Sequence, residues 1–409
     1  MDLIRKTVLP NGLTVVTEQT PYFRGAVAHL RFEAGSGIEI PDLYGAAHVL
    51  EHMVFKGTPT INQTDFGNRI ARLGCSTNAS TGFEATTYEI DGPAETILQG
   101  LDLFAEVIAQ FHVPDDELAK EKDVIQEEYK MILDDPSSWG EDLAYHLLLG
   151  EFAHPTIGTP ENIASFTREQ LTGFREAHYT PDNMVVGLVG NVEHEQVVEV
   201  VAKHFGLQTR KAAAQPDLPF TRAPHEHREE DCEQEQLFLG FQAPSIVRPD
   251  MHVFDAAMTV LGGDSWSRLF HRLRNELGLV YHVEGAYSGW PQIGSYMIYA
   301  GCKPEETEQV LAEIHSELDK FKAEITEDEL FRAKMMLRSS LMISSDQLSN
   351  KVHRLIDSEV LFGTYRSYED DIADLDSVTL DEAIAMAREV LDVNQATRLT
   401  VGPYQPKDL

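Results

Sequence analysis

Short runs of apolar and β-branched residues at Leu13 to Glu18 and Ala26 to Phe32 predict strands. Helical spacing of apolar positions follows over Tyr44 to Phe55 and Asp65 to Leu73. A strand rich in Thr and Tyr is expected from Ala85 to Ile90. Two longer amphipathic helices come next, Ala94 to Gln110 and Asp116 to Leu133, with Pro114 placed to open the second. Val185 to Val189 reads as a closing strand and Gln196 to His204 as a last helix. This order predicts an α+β sandwich, a mixed sheet with helices packed on one face.

The pattern then recurs. Pro114-Asp-Asp-Glu-Leu118 has a counterpart in Thr326-Glu-Asp-Glu-Leu330, at an offset of 330 − 118 = 212. Asn183 to Gly190 is echoed by Asn394 to Gly402 at offsets of 211 and 212, and Tyr44 to His52 by Phe254 to Gly262 at 210. Three segments in the same order at nearly constant offset predict tandem duplicated domains, 1–208 and 235–409. Residues 209–234 between them hold several prolines and a His-Glu-His-Arg-Glu-Glu-Asp run without periodicity, and read as a linker. His225 and His227 within it read as solvated polarity, because nothing nearby would hold them as ligands.

Composition narrows the function. An apolar fraction of 42% over 409 residues excludes a disordered chain and allows sizeable cores. With 33 Lys and Arg against 67 Asp and Glu, the net charge of −34 argues against nucleic acid or an anionic membrane as partner. It leaves either a plain solvated surface or a cavity that attracts basic peptides. Cys75, Cys232 and Cys302 match neither a disulfide framework nor a thiolate zinc site, so isolated thiols are expected. The start lacks an apolar signal core and no run approaches 18 apolar residues, so the expectation is a soluble, cytoplasmic protein.

The most specific chemistry lies in Gly45 to Pro59, where His48, Glu51 and His52 form an H-x-x-E-H motif. On a helix, spacings of three and four put both imidazoles and the carboxylate on one face. That is two metal nitrogens and a base, much of what a zinc hydrolase needs. A further ligand must come from elsewhere. The helix Asp116 to Leu133 offers Glu121 and Glu128, which fall on its apolar stripe of Leu118, Ile125 and Ile132, with Val124 and Met131 alongside. Lys120, Asp123, Glu127 and Lys130 take the opposite face, which favours Glu128 over Glu127 as the inward residue. Carboxylates on such a stripe are costly unless paired or metal-bound. The second copy acts as an internal control: His48, Glu51 and His52 become Met258, Leu261 and Gly262, while Glu121 and Glu128 become Ala333 and Ser340. The fold does not need these charges, so the chemistry does.

The run Gly45 to Thr58 resembles the active-site helix of the pitrilysin-like inverzincin metallopeptidases. The short-chain type similar to mitochondrial processing peptidase subunits is the nearest in length. The family's third ligand is a Glu roughly 75 residues beyond the second His, and Glu128 follows His52 by 128 − 52 = 76. The resemblance implies one Zn2+ per chain on His48, His52 and Glu128, Glu51 as general base, and Glu121 orienting a ligand His. Gly74 to Glu84 resembles the family's substrate-binding edge strand, with Asn78 and Ala79 matching its Asn-Ala pair. Cys75 replaces a usual Gly there, and Gly82-Phe83 a more polar pair. Arg274 and Tyr281 match, at seven-residue spacing, a pair that reaches the scissile carbonyl. The second domain is then a substrate-binding, chamber-forming copy without the metal site. A zinc endopeptidase acting on unstructured, preferentially basic peptides is implied, as a homodimer or as a heterodimer with an inactive homologue. The alternatives are a processing peptidase working with a partner subunit and a non-catalytic peptide-binding subunit. An oxygen-activating iron site of two His and a carboxylate would leave Glu51 without a role.

Overall fold

A computed structural model describes residues 3–214, 220, 222–223 and 225–404. The first half of the chain begins with strands β1 (Ile4–Val8), β2 (Thr14–Gln19) and β3 (Gly25–Phe32), then helices α1 (Ala46–Val54) and α2 (Gln63–Arg72). It continues through β4 (Ser76–Thr81), β5 (Thr86–Pro93), α3 (Ile97–Gln110), α4 (Asp115–Leu133) and α5 (Pro136–Leu149). Helices α6 (Pro160–Ser165) and α7 (Arg168–His178), strand β6 (Met184–Gly190) and helix α8 (His194–Phe205) close it. The second half runs β7 (His225–Glu229), β8 (Glu235–Ala243), α9 (Met251–Gly262), β9 (Val280–Gly289), β10 (Gly294–Cys302) and α10 (Thr307–Ala323). Its last elements are α11 (Glu327–Ser344), α12 (Leu348–Phe362), α13 (Tyr368–Ser377), α14 (Leu380–Val390) and β11 (Thr397–Gly402).

These elements form two compact units. The first contains a six-stranded sheet in the order β1-β2-β6-β3-β5-β4, antiparallel except for the β2–β6 pair. The second contains a five-stranded sheet ordered β7-β11-β8-β10-β9, with only β7–β11 parallel. Without β1, the two orders correspond strand for strand, which is the duplication that the sequence offsets predict. The copies α4 and α11 begin at Asp115 and Glu327, an offset of 327 − 115 = 212.

The units are not the contiguous stretches 1–208 and 235–409. The first comprises Met1–Lys130, His154–Asp217 and Ser344–Tyr365, and the second Met131–Ala153, Leu218–Ile343 and Arg366–Leu409. Each half lends one helix to the other unit: α5 packs on β8 and β11, and α12 on β2, β3 and β6. The two exchanged helices are repeat counterparts, beginning at Pro136 and Leu348 with the same offset of 348 − 136 = 212. In the first unit, α3 and α1 pack against the face bearing Leu30, Phe32 and Tyr88. The exchanged α12 covers the other face, where Val352, Leu355 and Ile356 meet Val16, Val185 and Val189. Strand β6 is therefore buried along its whole length, and reads as an unbroken apolar run with no alternation. At Gly187 a Cβ would lie 2.7 Å from Ile356 Cγ1, so the close approach of α12 requires glycine.

The expected linker also holds structure. Within 209–234, His225–Glu229 forms β7, an edge strand paired in parallel with β11. His227 is bound there, its Nδ1 2.8 Å from Thr400 Oγ1. The strand carries no apolar alternation because backbone hydrogen bonds to β11 hold it, and an edge position tolerates charge. Cys75, Cys232 and Cys302 are free thiols, as expected. No helix among the described residues is long and apolar enough to cross a membrane.

Candidate metal centre

Helix α1 starts from Gly45, whose φ of 96° is left-handed and where a Cβ would stand 2.6 Å from the Ile157 carbonyl oxygen. The orphan amides of its first turn are met by Glu39, which is 0% exposed. One Glu39 oxygen accepts from the Gly45 amide and the other from the Ala47 amide, both at 2.7 Å. The carboxylate thus lies at the positive end of the helix dipole. His154 flanks it, with Nε2 2.8 Å from the Ser36 carbonyl oxygen and 3.5 Å from Glu39 Oε2, and stacks on Tyr44. Burial pushes the Glu39 carboxyl well above its usual range, against the pull of the helix amides.

On this fixed helix, His48 and His52 project together, their ring centroids 4.7 Å apart. Helix α4 brings Glu128 against them: Oε1 lies 3.9 Å from His48 Nε2, and Oε2 3.7 Å from His52 Nε2. One donor atom from each of the three falls within 4.8 Å of the others. Glu128 keeps 45% of its side chain exposed, whereas Glu127 is 71% exposed and pairs with Lys130. Of the two, Glu128 is the one that stands beside the imidazoles. Val124 and Met131, expected beside the apolar stripe, are instead exposed, because the buried part of α4 narrows to Leu118, Glu121 and Ile125. Two imidazoles and one carboxylate at this spacing match the donor set of a zinc site with an open position.

Around these donors lies a polar scaffold. Glu121 Oε1 is 3.1 Å from His52 Nδ1, and Lys56 Nζ lies 2.5 Å from Glu121 Oε2. Burial alone would raise the Glu121 carboxyl, but the bonds from His52 and Lys56 outweigh it and hold the group below its usual value. Burial draws His52 down, yet the bond to Glu121 and the nearby carboxylates raise it on balance. His48 has no such support: burial, then His52, lower it to about 4, and its Nδ1 is buried with no hydrogen-bond partner among the described residues. Glu51 accepts from Thr81 Oγ1 at 2.6 Å, and burial lifts its carboxyl above the usual value despite that bond.

Thr81 ends β4, which forms one of the two edges of the first sheet. Register pairs Ala79 with Tyr88 and Thr81 with Thr86 on the face toward α1, while Asn78 pairs with Glu89 on the other face. Asn78 is exposed and Ala79 half-buried. Cys75 at the head of this strand nests on two glycines; a Cβ on Gly92 or Gly100 would come within 2.5 or 3.0 Å of its Sγ.

Arg274 and Tyr281 belong to the second unit. Arg274 lies in a π-helical turn, Phe270–Glu276, and its Nη1 donates to the Val280 carbonyl at 3.0 Å. Tyr281, next along edge strand β9, is 51% exposed. The structure thus gathers His48, Glu51, His52, Glu121 and Glu128 in the first unit, and Arg274 with Tyr281 in the second. Sequence reasoning misses Glu39, His154, Thr81 and Lys56. Lys56 lies just beyond the end of α1, in the turn that follows it, so helical spacing alone does not single it out. The other three arrive through tertiary contacts.

A family model described as insulinase, peptidase family M16, matches residues 14–148, and one described as the peptidase M16 inactive domain matches 165–337. An uncharacterized zinc protease of Mycobacterium leprae is 33% identical over 98% of this chain and 92% of its own. Another, from Bacillus subtilis, is 30% identical over 97% of this chain and 98% of its own. Two crystal structures share the fold, each with a TM-score of 0.90. A Helicobacter pylori protease is 24% identical over 99% of this chain and 100% of that one. A peptidase M16 inactive domain from Pseudomonas fluorescens is 22% identical over 98% and 100%. The chain belongs to the pitrilysin-like peptidase family M16.

Proposed function

We propose that this protein is a zinc-dependent endopeptidase that hydrolyses unstructured peptides, with His48, His52 and Glu128 as zinc ligands. The observation that carries the reading is the convergence of these three donors within 4.8 Å beside Glu51 and the edge strand β4. Zinc held there supplies Lewis acidity towards a carbonyl or water oxygen. Glu51 takes a proton from the attacking water as its oxygen bonds to the scissile carbon. It then delivers that proton to the nitrogen as the C–N bond breaks. Burial raises its carboxyl above the usual value, which suits a group that must take up a proton. Thr81 fixes one Glu51 oxygen through its hydrogen bond.

Strand β4 receives the substrate as an added strand, so main-chain hydrogen bonds provide affinity with little demand on sequence. Asn78 and Ala79 contribute there, and by resemblance to the family Arg274 and Tyr281 take the role of donors to the carbonyl oxygen. Glu121, braced by Lys56, orients His52. The net charge of −34 favours basic peptides, and a homodimer is the expected assembly.

The test compares wild type with Glu51→Gln on a mixed library of unstructured peptides, with a chelator control. Glu51→Gln should keep one zinc at the His48, His52 and Glu128 centre and lose about 10²–10⁴-fold in turnover. Cleavage at the wild-type rate by Glu51→Gln would refute the role of Glu51. A wild type that binds zinc yet cuts no peptide would favour the non-catalytic reading.

A further inference from the structure

A second group of metal-ligand type lies outside the site described above. His29 on β3, Glu89 on β5 and His353 on α12 each present a donor atom within 4.8 Å of the others. His29 and Glu89 are direct cross-strand partners, so their side chains leave the same face of the sheet. That face is the one covered by α12, and the His29 and His353 rings meet edge to face with centroids 4.4 Å apart. Thr81, which touches Glu51, shares the opposite face with Tyr88 and Leu30. The two donor groups are therefore separated by the sheet and cannot share an ion.

Two features set this cluster apart from surface polarity. His29 is only 1% exposed, and its Nδ1 is buried with no hydrogen-bond partner among the described residues. An unpaired nitrogen in such a place is costly, and a bound cation would satisfy it. The cluster also opens outward, from buried His29 through half-buried Glu89 to exposed His353, so an ion could enter and keep solvent as its remaining ligands. Burial, with His353 next to it, lowers His29 to about 3, which keeps the imidazole in its neutral, coordinating form.

We propose that His29, Glu89 and His353 form a second site for a divalent transition-metal ion of the zinc class, independent of the His48, His52 and Glu128 centre. Two imidazoles and a carboxylate favour zinc or cobalt over calcium or magnesium, which prefer all-oxygen sites. Because His353 sits on the exchanged helix, an ion here would clamp α12, from the second half of the chain, to strands β3 and β5 of the first. The ion's role is therefore to secure the helix exchange rather than to hydrolyse peptides.

The test counts metal in the full-length protein. Wild type is stripped with chelator, equilibrated with micromolar zinc or cobalt, and analysed by elemental mass spectrometry and cobalt absorption. Two equivalents are expected for wild type, and one each for His353→Ala and for His48→Ala/His52→Ala, with distinct cobalt spectra. Because His353 is exposed, its replacement should leave the metal-free fold and the peptidase activity intact, while removing the added stability that the second ion gives wild type. Glu89→Gln should weaken the second site by about tenfold or more. The proposal is overturned if wild type takes up only one equivalent, if His353→Ala leaves the count at two, or if His48→Ala/His52→Ala binds none.

Discussion

Glu39 offers the sharpest test of how the fold holds the candidate centre, because it lies under α1 without being a proposed ligand. Glu39→Ala removes two short, charge-assisted bonds to the amides of Gly45 and Ala47. Each is worth about 1.5–3 kcal/mol, and the amides are left unpaired in a buried site. The loss is partly offset because the carboxylate no longer has to be desolvated, a cost visible in its raised pKa. The net expectation is a destabilisation of about 2–4 kcal/mol, large against the roughly 5–15 kcal/mol of a typical domain. Glu39→Gln keeps one acceptor oxygen and should lose about 1–2 kcal/mol. Unfolding in urea should be followed on zinc-free protein by circular dichroism, since Trp139, Trp266 and Trp290 all lie in the second unit and would report on the wrong one. Hydrogen exchange over residues 45–49 localises the effect, because His48 sits in the turn that Glu39 caps. Stability within about 0.5 kcal/mol of wild type, with unchanged protection in that turn, would refute the capping argument.

Two further outcomes follow from the geometry. Glu121→Ala unties His52 Nδ1 and leaves the Lys56 ammonium without its partner, so zinc affinity in a chelator-competition titration should fall about 10–100-fold; unchanged affinity would remove Glu121 from the site. In the second unit, Glu329 holds Arg268 through two bonds of 2.6 and 2.7 Å and caps Thr326 at the start of α11. Burial opposes ionisation, but these bonds prevail and lower the carboxyl from 4.5 to about 2. A depressed folded pKa means that the stabilisation is present above pH 4.5 and is lost as pH falls towards 2. Glu329→Gln should therefore cost about 3 kcal/mol at neutral pH in urea unfolding read by tryptophan fluorescence, with the gap closing across that acid window. A gap that persists at pH 2 would contradict the linkage.

Much of the candidate centre is legible in the sequence because its information is local. A spacing of three and four residues is enough to gather His48, Glu51 and His52 on one helical face, and a stripe along α4 is enough to single out Glu121 and Glu128. The duplication is legible too, and the loss of every motif position at Met258, Leu261, Gly262, Ala333 and Ser340 separates chemistry from folding. Periodicity says which face of an element is buried, but not what covers it. The exchange of α5 and α12 therefore leaves no trace in the pattern: an apolar helix face reads the same whether it packs on its own sheet or on its copy's. Strand β7 escapes the pattern because backbone bonds to β11, not side chains, hold its charged sequence in place. Glu39 and Thr81 reach the motif only through space, and so does the cluster of His29, Glu89 and His353 gather. Spacing along the chain thus suffices for the elements, most of their buried faces and the donors carried on a single helix. Which elements share a core, and which distant side chains meet, follow from the folded path of the chain, because those contacts join segments that no periodicity relates.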